Sequence, residues 1–376
     1  MVYIEKYNLI APLGNSISEC FDAMEKGLSG IKYYAHSRVS DSPISAALFP
    51  HDFFDAVLDD SYSRLEKLGV MAIHETLRDS DIKLDDKETL LIVSTTKGNV
   101  EYLEKINEGQ VASTDSLELW KSADKIASYF KMNHKPMVVS NACVSGLAAL
   151  ILGQRLIDMG QYKRVVVLGI DVLSKFIVSG FQSFKALSEN RCMPFDQERK
   201  GLNLGEGAGV IVLSNHKPTG DRVEIAGGST SNDANHISGP SRTGEGLLIA
   251  IKKALGTNQQ VDFISAHGTA TRYNDDMESK AIFRAGLDRV PTNSYKGYFG
   301  HTLGAAGVLE AVVSLECMRR GVLLPTLGLH ERGTAEEINV LKEKRVTTVN
   351  NVLKLTSGFG GCNAVVYLRK ISNETD

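Results

Sequence analysis

Three observations predict that the 376-residue chain is an α/β protein. Runs of Val, Ile and Leu recur along it, helix-like stretches lie between them, and small-residue turns join the two kinds. Runs that are apolar at every position, rather than at alternate ones, belong to strands covered on both faces. Such runs are "TLLIVSTTKGN" at 89–99, "RVVVLGIDVL" at 164–173, "GVIVLSN" at 209–215, "VDFISAHGTA" at 261–270 and "NAVVYLRK" at 363–370. Helices are expected over 61–80, 144–160 and 304–321.

The last two helical stretches invite comparison. Each follows a strand-like segment, begins with small residues and ends in Gly near basic residues; Cys143 stands just before one, and His301 just before the other. One reading is an internal duplication with a boundary in "HKPTGDR" at 216–222. The alternative is that any α/β chain shows such repeats.

Composition narrows the function. Hydrophobic residues make up 43% and charged residues 23%, the balance of a globular enzyme rather than of a disordered chain. The net charge of −3 leaves no basic surplus for a phosphate backbone, which argues against nucleic acid as partner. Five widely spaced cysteines without a Cys-x-x-Cys pair fit neither a disulfide framework nor a zinc site, and suit a reducing compartment. The opening "MVYIEKYNLIAPLG" lacks a signal-peptide layout, and no apolar run approaches the roughly 20 residues that cross a bilayer. A cytoplasmic location is expected.

Three turns contain residues able to do chemistry. Cys143, in "VVSNACVSGLAAL", sits between a β-branched run and a helix start, where the macrodipole and unpaired N–H groups favour thiolate. It could equally be a packed apolar residue. His267, in "SAHGTATRYND", and His301, in "NSYKGYFGHTLGAAG", both follow strand-like segments in Gly-flanked turns, where α/β proteins place catalytic groups. Lys296, Asp275, Asp276 and Glu278 stand nearby in sequence; they could form a buried network, a solvated turn or, with His267, a metal site of no standard spacing. "TSGFGGCNAVV" at 356–366 holds a glycine loop that could supply an oxyanion donor or a phosphate cradle, or could be only a turn.

Taken together and in order, these motifs resemble the β-ketoacyl-acyl-carrier-protein synthases, condensing enzymes of the thiolase superfamily. The matching stretches are "NACVSG", "PFDQERKGLNLGEGAGVIVL" (194–213), "NDANHISGP" (232–240), "AHGTATRYNDDMES" (266–279), "NSYKGYFGHTLGAAGVLEAV" (293–312) and "SGFGGCNA" (357–364), with "APLGNSISECFDAMEKGLSGI" (11–31) as the first turn and helix.

The resemblance implies a thiolase-like fold, two duplicated α/β halves in five α-β-α-β-α layers. The expected halves are 1–218, carrying the nucleophilic cysteine, and 219–376, carrying both histidines and the Gly-rich loop. It implies that Cys143 takes an acyl chain from a carrier protein, and that His267 and His301 stabilise the enolate left when a malonyl-carrier thioester loses carbon dioxide. It places oxyanion donors at the amides of Cys143 and Phe359, the acyl gate at Phe359, and pantetheine contacts at Thr269 and Thr271. Lys296 would pair with Glu278, while Asp275 shapes the same turn. No metal or organic cofactor is implied, and the expected partners are acyl carrier protein and a second copy in a homodimer or a ketosynthase-like partner in a heterodimer. The segments between Thr96 and Cys143 and after Pro325, including "GLHERGTAEEINVL" (328–341), depart from the family pattern. The competing readings are a non-catalytic chain-length factor and a thiolase acting on coenzyme A thioesters with Cys362 as a second cysteine.

Overall fold

Ten strands build one mixed sheet in the computed structural model, which describes residues 1–107, 109, 114–218, 220, 222–236, 239–257 and 259–371. Thr219, where the second half was expected to begin, and Ile237 and Ser238 of the 232–240 stretch lie outside the described residues. In chain order the strands are β1 (Tyr3–Ile10), β2 (Thr89–Ser94), β3 (Met137–Val139), β4 (Arg164–Asp171), β5 (Gly207–Ser214), β6 (Arg222–Asn232), β7 (Phe263–Ser265), β8 (Thr292–Asn293), β9 (Asn351–Gly358) and β10 (Cys362–Ile371). β2, β4 and β5 are apolar at nearly every position and buried on both faces, apart from half-buried Arg164 at the start of β4.

Across the sheet the order is β8-β7-β9-β10-β6-β1-β5-β4-β2-β3. β1 to β5 and β6 to β10 therefore repeat one topology. In each set the first strand pairs antiparallel with the fifth and the fifth antiparallel with the fourth. The fourth then pairs parallel with the second, and the second parallel with the third. The sets join where Tyr3 of β1 pairs with Glu224 of β6.

The main helices are α1 (Ile17–Glu25), α2 (Arg64–Leu77), α3 (Leu119–Tyr129), α4 (Ser145–Asp158), α5 (Lys175–Ser183), α6 (Glu245–Leu255), α7 (Arg272–Arg284) and α8 (Ala306–Arg320). α2 begins at a capping box, in which Ser63 and Glu66 satisfy each other's backbone N–H groups. Its apolar stripe packs with α3 on the outer face of the β1–β5 set. α6 and α7 cover the outer face of the β6–β10 set.

α8 is buried on every side except near its C-terminal arginines, so it must lie inside the molecule. It packs against α4, and this pair fills the space between the two halves of the sheet. The architecture is the five-layered α-β-α-β-α arrangement. The central helices meet backbone to backbone: a Cβ on Gly146 would lie 2.8 Å from Val308 N, and one on Gly307 would lie 2.7 Å from Leu147 N. That reciprocal contact brings the starts of α4 and α8, hence the Cys143 and His301 turns, to one place. Among the described residues, no helix is long and apolar enough to cross a membrane.

Candidate active site

Cys143 stands between β3 and α4. Ala142 takes a φ of +44°, which sharpens the turn, and Ser145 Oγ locks it by accepting from Asn141 N (2.7 Å) and donating to Ala142 O (2.6 Å). Across from the thiol, the glycine loop comes so close that a Cβ on Gly358 would lie 3.1 Å from Cys143 N. The N–H groups of Phe359 and of Cys143 itself face the sulfur and favour its charged form.

His301 Nε2 lies 3.0 Å from Cys143 Sγ. The N–H of Leu303, a residue at φ +53°, donates to His301 Nδ1 at 3.1 Å, so the neutral ring carries its proton on Nε2. The loop is tied to the β1–β5 set by Asp171, at the end of β4, which accepts from Gly304 N (2.7 Å) and Thr95 Oγ1 (2.7 Å). His267 follows β7, with its ring centroid 5.1 Å from that of His301 and the planes at 83°. Lys296 Nζ is 3.5 Å from His267 Nδ1, and an ammonium can only donate, so this ring too carries its proton on Nε2. Burial, reinforced by the charge of Lys296, holds both imidazoles well below the ordinary histidine range. They are neutral N–H donors. Ligand atoms of Cys143, His267 and His301 lie within 4.8 Å of one another, close enough for a metal by distance alone. The tautomers put hydrogens, not lone pairs, on the Nε2 atoms, which suits an oxyanion rather than a cation.

Lys296 does not pair with Glu278. It pairs with Glu310 on α8, and Lys354 of β9 pairs with the other oxygen of that carboxylate at 2.5 Å; all three side chains are fully buried. The expected pairing failed because Glu278 is occupied elsewhere: it accepts from His267 N (2.5 Å) and Gly268 N (2.8 Å) and so clamps the histidine turn by its backbone. Asp275 accepts from Thr269 N (3.0 Å) and Phe195 N (2.8 Å) in the same turn. Burial pushes Glu278 up to about 7 and Asp275 up to about 6. Asp276 pairs with Arg199 at 2.7 Å, so the acidic cluster is a built network and not a solvated turn.

The expectation of a thiolate is also corrected. Burial pushes the Cys143 thiol up to about 11, outweighing Lys296 and the two amides that lower it. A helix start does not by itself ionise a desolvated sulfur.

Cys143, His267, His301, Thr269, Thr271 and Phe359 line one cavity of about 610 Å³. The hydroxyls of Thr269 and Thr271 stand 2.9 Å apart on its wall. Phe359 is half exposed at its mouth, stacked on Phe181 (centroids 6.0 Å apart, planes at 22°) and edge-on to Phe184 (5.7 Å, 71°). Lys185, Lys200 and Arg272 are exposed around the opening. Cys362 is absent from the lining; its sulfur accepts from Asn232 Nδ2 at 3.2 Å. The residue types alone did not single out Asp171, Glu310 and Lys354. Each left a signal, a lone charge at the end of or inside an apolar run: "VVVLGID", "GVLEAVV" and "NVLKLTS".

Comparison with known proteins adds a family. The model of the β-ketoacyl synthase N-terminal domain matches residues 7–218, and that of the β-ketoacyl synthase C-terminal domain matches residues 222–330. The 3-oxoacyl-[acyl-carrier-protein] synthase 2 of Coxiella burnetii is 26% identical, covering 98% of this chain and 98% of that protein. The ketoacyl synthase alpha subunit of the tetracenomycin polyketide synthase of Streptomyces glaucescens is 35% identical over 62% of this chain and 59% of its own length. Among solved structures, a ketosynthase in complex with its chain length factor from Xenorhabdus doucetiae superposes with a TM-score of 0.87, at 25% identity and 98% coverage of both chains.

Proposed function

The chain belongs to the β-ketoacyl synthase family, and from that premise we propose that it performs decarboxylative Claisen condensation of an acyl thioester with malonyl-acyl-carrier protein. The observation that carries the reading is the meeting of one thiol and two donor-oriented neutral imidazoles in one cavity. The carrier's pantetheine arm enters past Phe359, against Thr269 and Thr271, with Lys185, Lys200 and Arg272 at the opening to receive its phosphate.

Cys143 sulfur attacks the acyl thioester carbonyl, and the proton it gives up ends on the departing carrier sulfur. The resulting oxyanion lies between the amides of Cys143 and Phe359, and its collapse expels the carrier thiol and leaves acyl-Cys143. Next the malonyl thioester oxygen accepts from Nε2–H of His267 and of His301. The C–C bond to the carboxylate breaks, carbon dioxide leaves, and the electron pair becomes an enolate held by those two donors. The enolate carbon attacks acyl-Cys143; the C–S bond breaks, the departing sulfur takes a proton from solvent to restore the thiol, and the ketoacyl chain stays on the carrier. Lys296, backed by Glu310, fixes the His267 tautomer. Glu278 and Asp275 hold the turn that presents it. No step draws on a metal or organic cofactor.

In this reading residues 1–218 supply the nucleophile and 219–376 the decarboxylating groups. The chain works as a homodimer, or beside a ketosynthase-like partner; the ketosynthase from Xenorhabdus doucetiae is in complex with its chain length factor. Five cysteines without a disulfide suit a reducing cytoplasm.

The test is mass spectrometry of the chain after incubation with acyl-carrier proteins of several chain lengths, then malonyl-carrier protein. An acyl adduct on Cys143 that malonyl thioester converts to a ketoacyl product is the expected result, and full activity in Cys143→Ala would sink it. Because the thiol sits near 11, alkylation of Cys143 by iodoacetamide is expected to rise roughly tenfold per pH unit from pH 7 to 9. A rate already flat above pH 7 would show a preformed thiolate.

A further inference from the structure

Lys354 is the second lysine on Glu310, and the pairing just described does not require it. Lys296 already neutralises that carboxylate, and burying an additional ammonium is costly unless it has partners. Lys354 has them. It sits mid-strand in β9, fully buried, beside the end of β7, where Ser265 pairs with it in register. Its Nζ donates to Ser265 O (3.3 Å) and Ala266 O (3.2 Å), the two carbonyls immediately before His267, and lies 2.5 Å from Glu310 Oε2. One ammonium thus touches both the strand end that delivers His267 and the carboxylate that holds Lys296 against that ring.

Resting on the condensing reading above, we propose that Lys354 is a positioning residue for the decarboxylation step: it locks Glu310 and the Ser265–Ala266 strand end together, so that Lys296 and His267 meet the malonyl thioester in a single arrangement. Its charge acts in the same direction. Lys354 is one of the cations that disfavour protonation of both His267 and His301, after burial and Lys296. The titratable groups around these imidazoles are Lys296 and Lys354, Glu310 of α8, Glu278 and Asp275 of α7, Cys143 before α4 and Asp171 of β4. Burial and the two lysines oppose a charged ring at both histidines, and at His267 the neighbouring His301 does so too. Removing Lys354 shifts that balance towards imidazolium, which has lost nothing as a donor but disturbs the Lys296 contact at Nδ1.

The experiment compares wild type, Lys354→Met and Lys354→Arg in two assays on the purified full-length chain: acylation of Cys143 by an acyl-carrier protein, and carbon dioxide release from malonyl-carrier protein between pH 5 and 9. For Lys354→Met, acylation stays within roughly threefold while carbon dioxide release falls roughly ten- to a hundredfold. The acid limb of its pH profile moves to higher pH, since a lost positive charge makes the imidazoles easier to protonate. Lys354→Arg keeps the charge, so its acid limb stays at the wild-type position while its rate drops because the guanidinium fork does not match the ammonium contacts. Should Lys354→Met fail to fold, the Arg variant decides. A wild-type rate in either folded variant, or equal loss of both activities with an unmoved acid limb in Lys354→Met, overturns the proposal. A wild-type chain that neither acylates Cys143 nor releases carbon dioxide would overturn the condensing reading instead.

Discussion

Glu206 and Glu310 are both fully buried and each is flanked by two cations, one in each half of the molecule, yet their surroundings differ in kind. Glu206 takes Arg38 (2.5 Å) and Arg64 (2.8 Å), and its remaining acceptor positions take Phe49 N and Leu173 N, both at 2.9 Å. The two arginines and two amides hold its carboxyl below the usual range despite burial. Guanidinium is always charged and geometrically fixed, so this cluster only joins segments. Glu310 is paired with lysines, whose compact charges also reach His267 and His301. In the proposed reading a partly exposed arginine hub stabilises the half that supplies the nucleophile, and a fully buried lysine hub sets the electrostatics of the half that handles carbon dioxide.

The comparison breaks most easily at its hubs. Glu206→Gln strips the charge from between two half-buried arginines and is expected to cost about 3 kcal/mol of stability in denaturant unfolding, while the protein that stays folded releases carbon dioxide at the wild-type rate. Glu310→Gln should lose the carbon dioxide release as well, and a Glu310→Gln enzyme with full activity would erase the distinction.

Acidity separates the halves more gently. Glu206, held low, contributes stability above the ordinary carboxylate range that is lost as pH falls through its folded value. Glu278 has the opposite sign: raised from 4.5 to about 7, it binds its proton more tightly in the folded chain, so stability is lost as pH rises across that window. Replacement by Gln, which is neutral at every pH, should therefore shrink the stability difference between pH 5 and pH 7 by about 2.2 kcal/mol. Chemical denaturation at the two pH values measures it.

Smaller still is the effect of Gly268→Ala. At φ +41° the new Cβ would lie 2.5 Å from Ser294 Cβ and 2.7 Å from Phe195 Cε2, which is expected to cost about 2 kcal/mol and to displace His267. Carbon dioxide release should fall while Cys143 acylation by acyl-carrier protein persists.

The half built around Cys143 was the easier to read in the sequence. Its fully covered strands β2, β4 and β5 announce themselves as unbroken apolar runs, and small residues bracket the thiol. β1, β6 and β9 escaped because Glu5 and Lys6, Gly227 and Gly228, and Lys354 interrupt their patterns. The histidines were visible through their glycine turns, whereas the ion pair behind them was not. Glu278 is nearer to His267 in sequence, but Glu310 reaches Lys296 because α8 runs through the centre of the molecule. The thiolate expectation reversed for a related reason, since local sequence shows a helix start and not the desolvation around it.

The central claim is that the nucleophile and the decarboxylating groups are separable contributions of the two halves. Its most direct test is carbon dioxide release from malonyl-carrier protein by folded Cys143→Ala. The variant should form no acyl adduct and no ketoacyl product, yet still release carbon dioxide, because the Nε2–H donors of His267 and His301 remain in place. A folded Cys143→Ala chain that releases none would contradict the account.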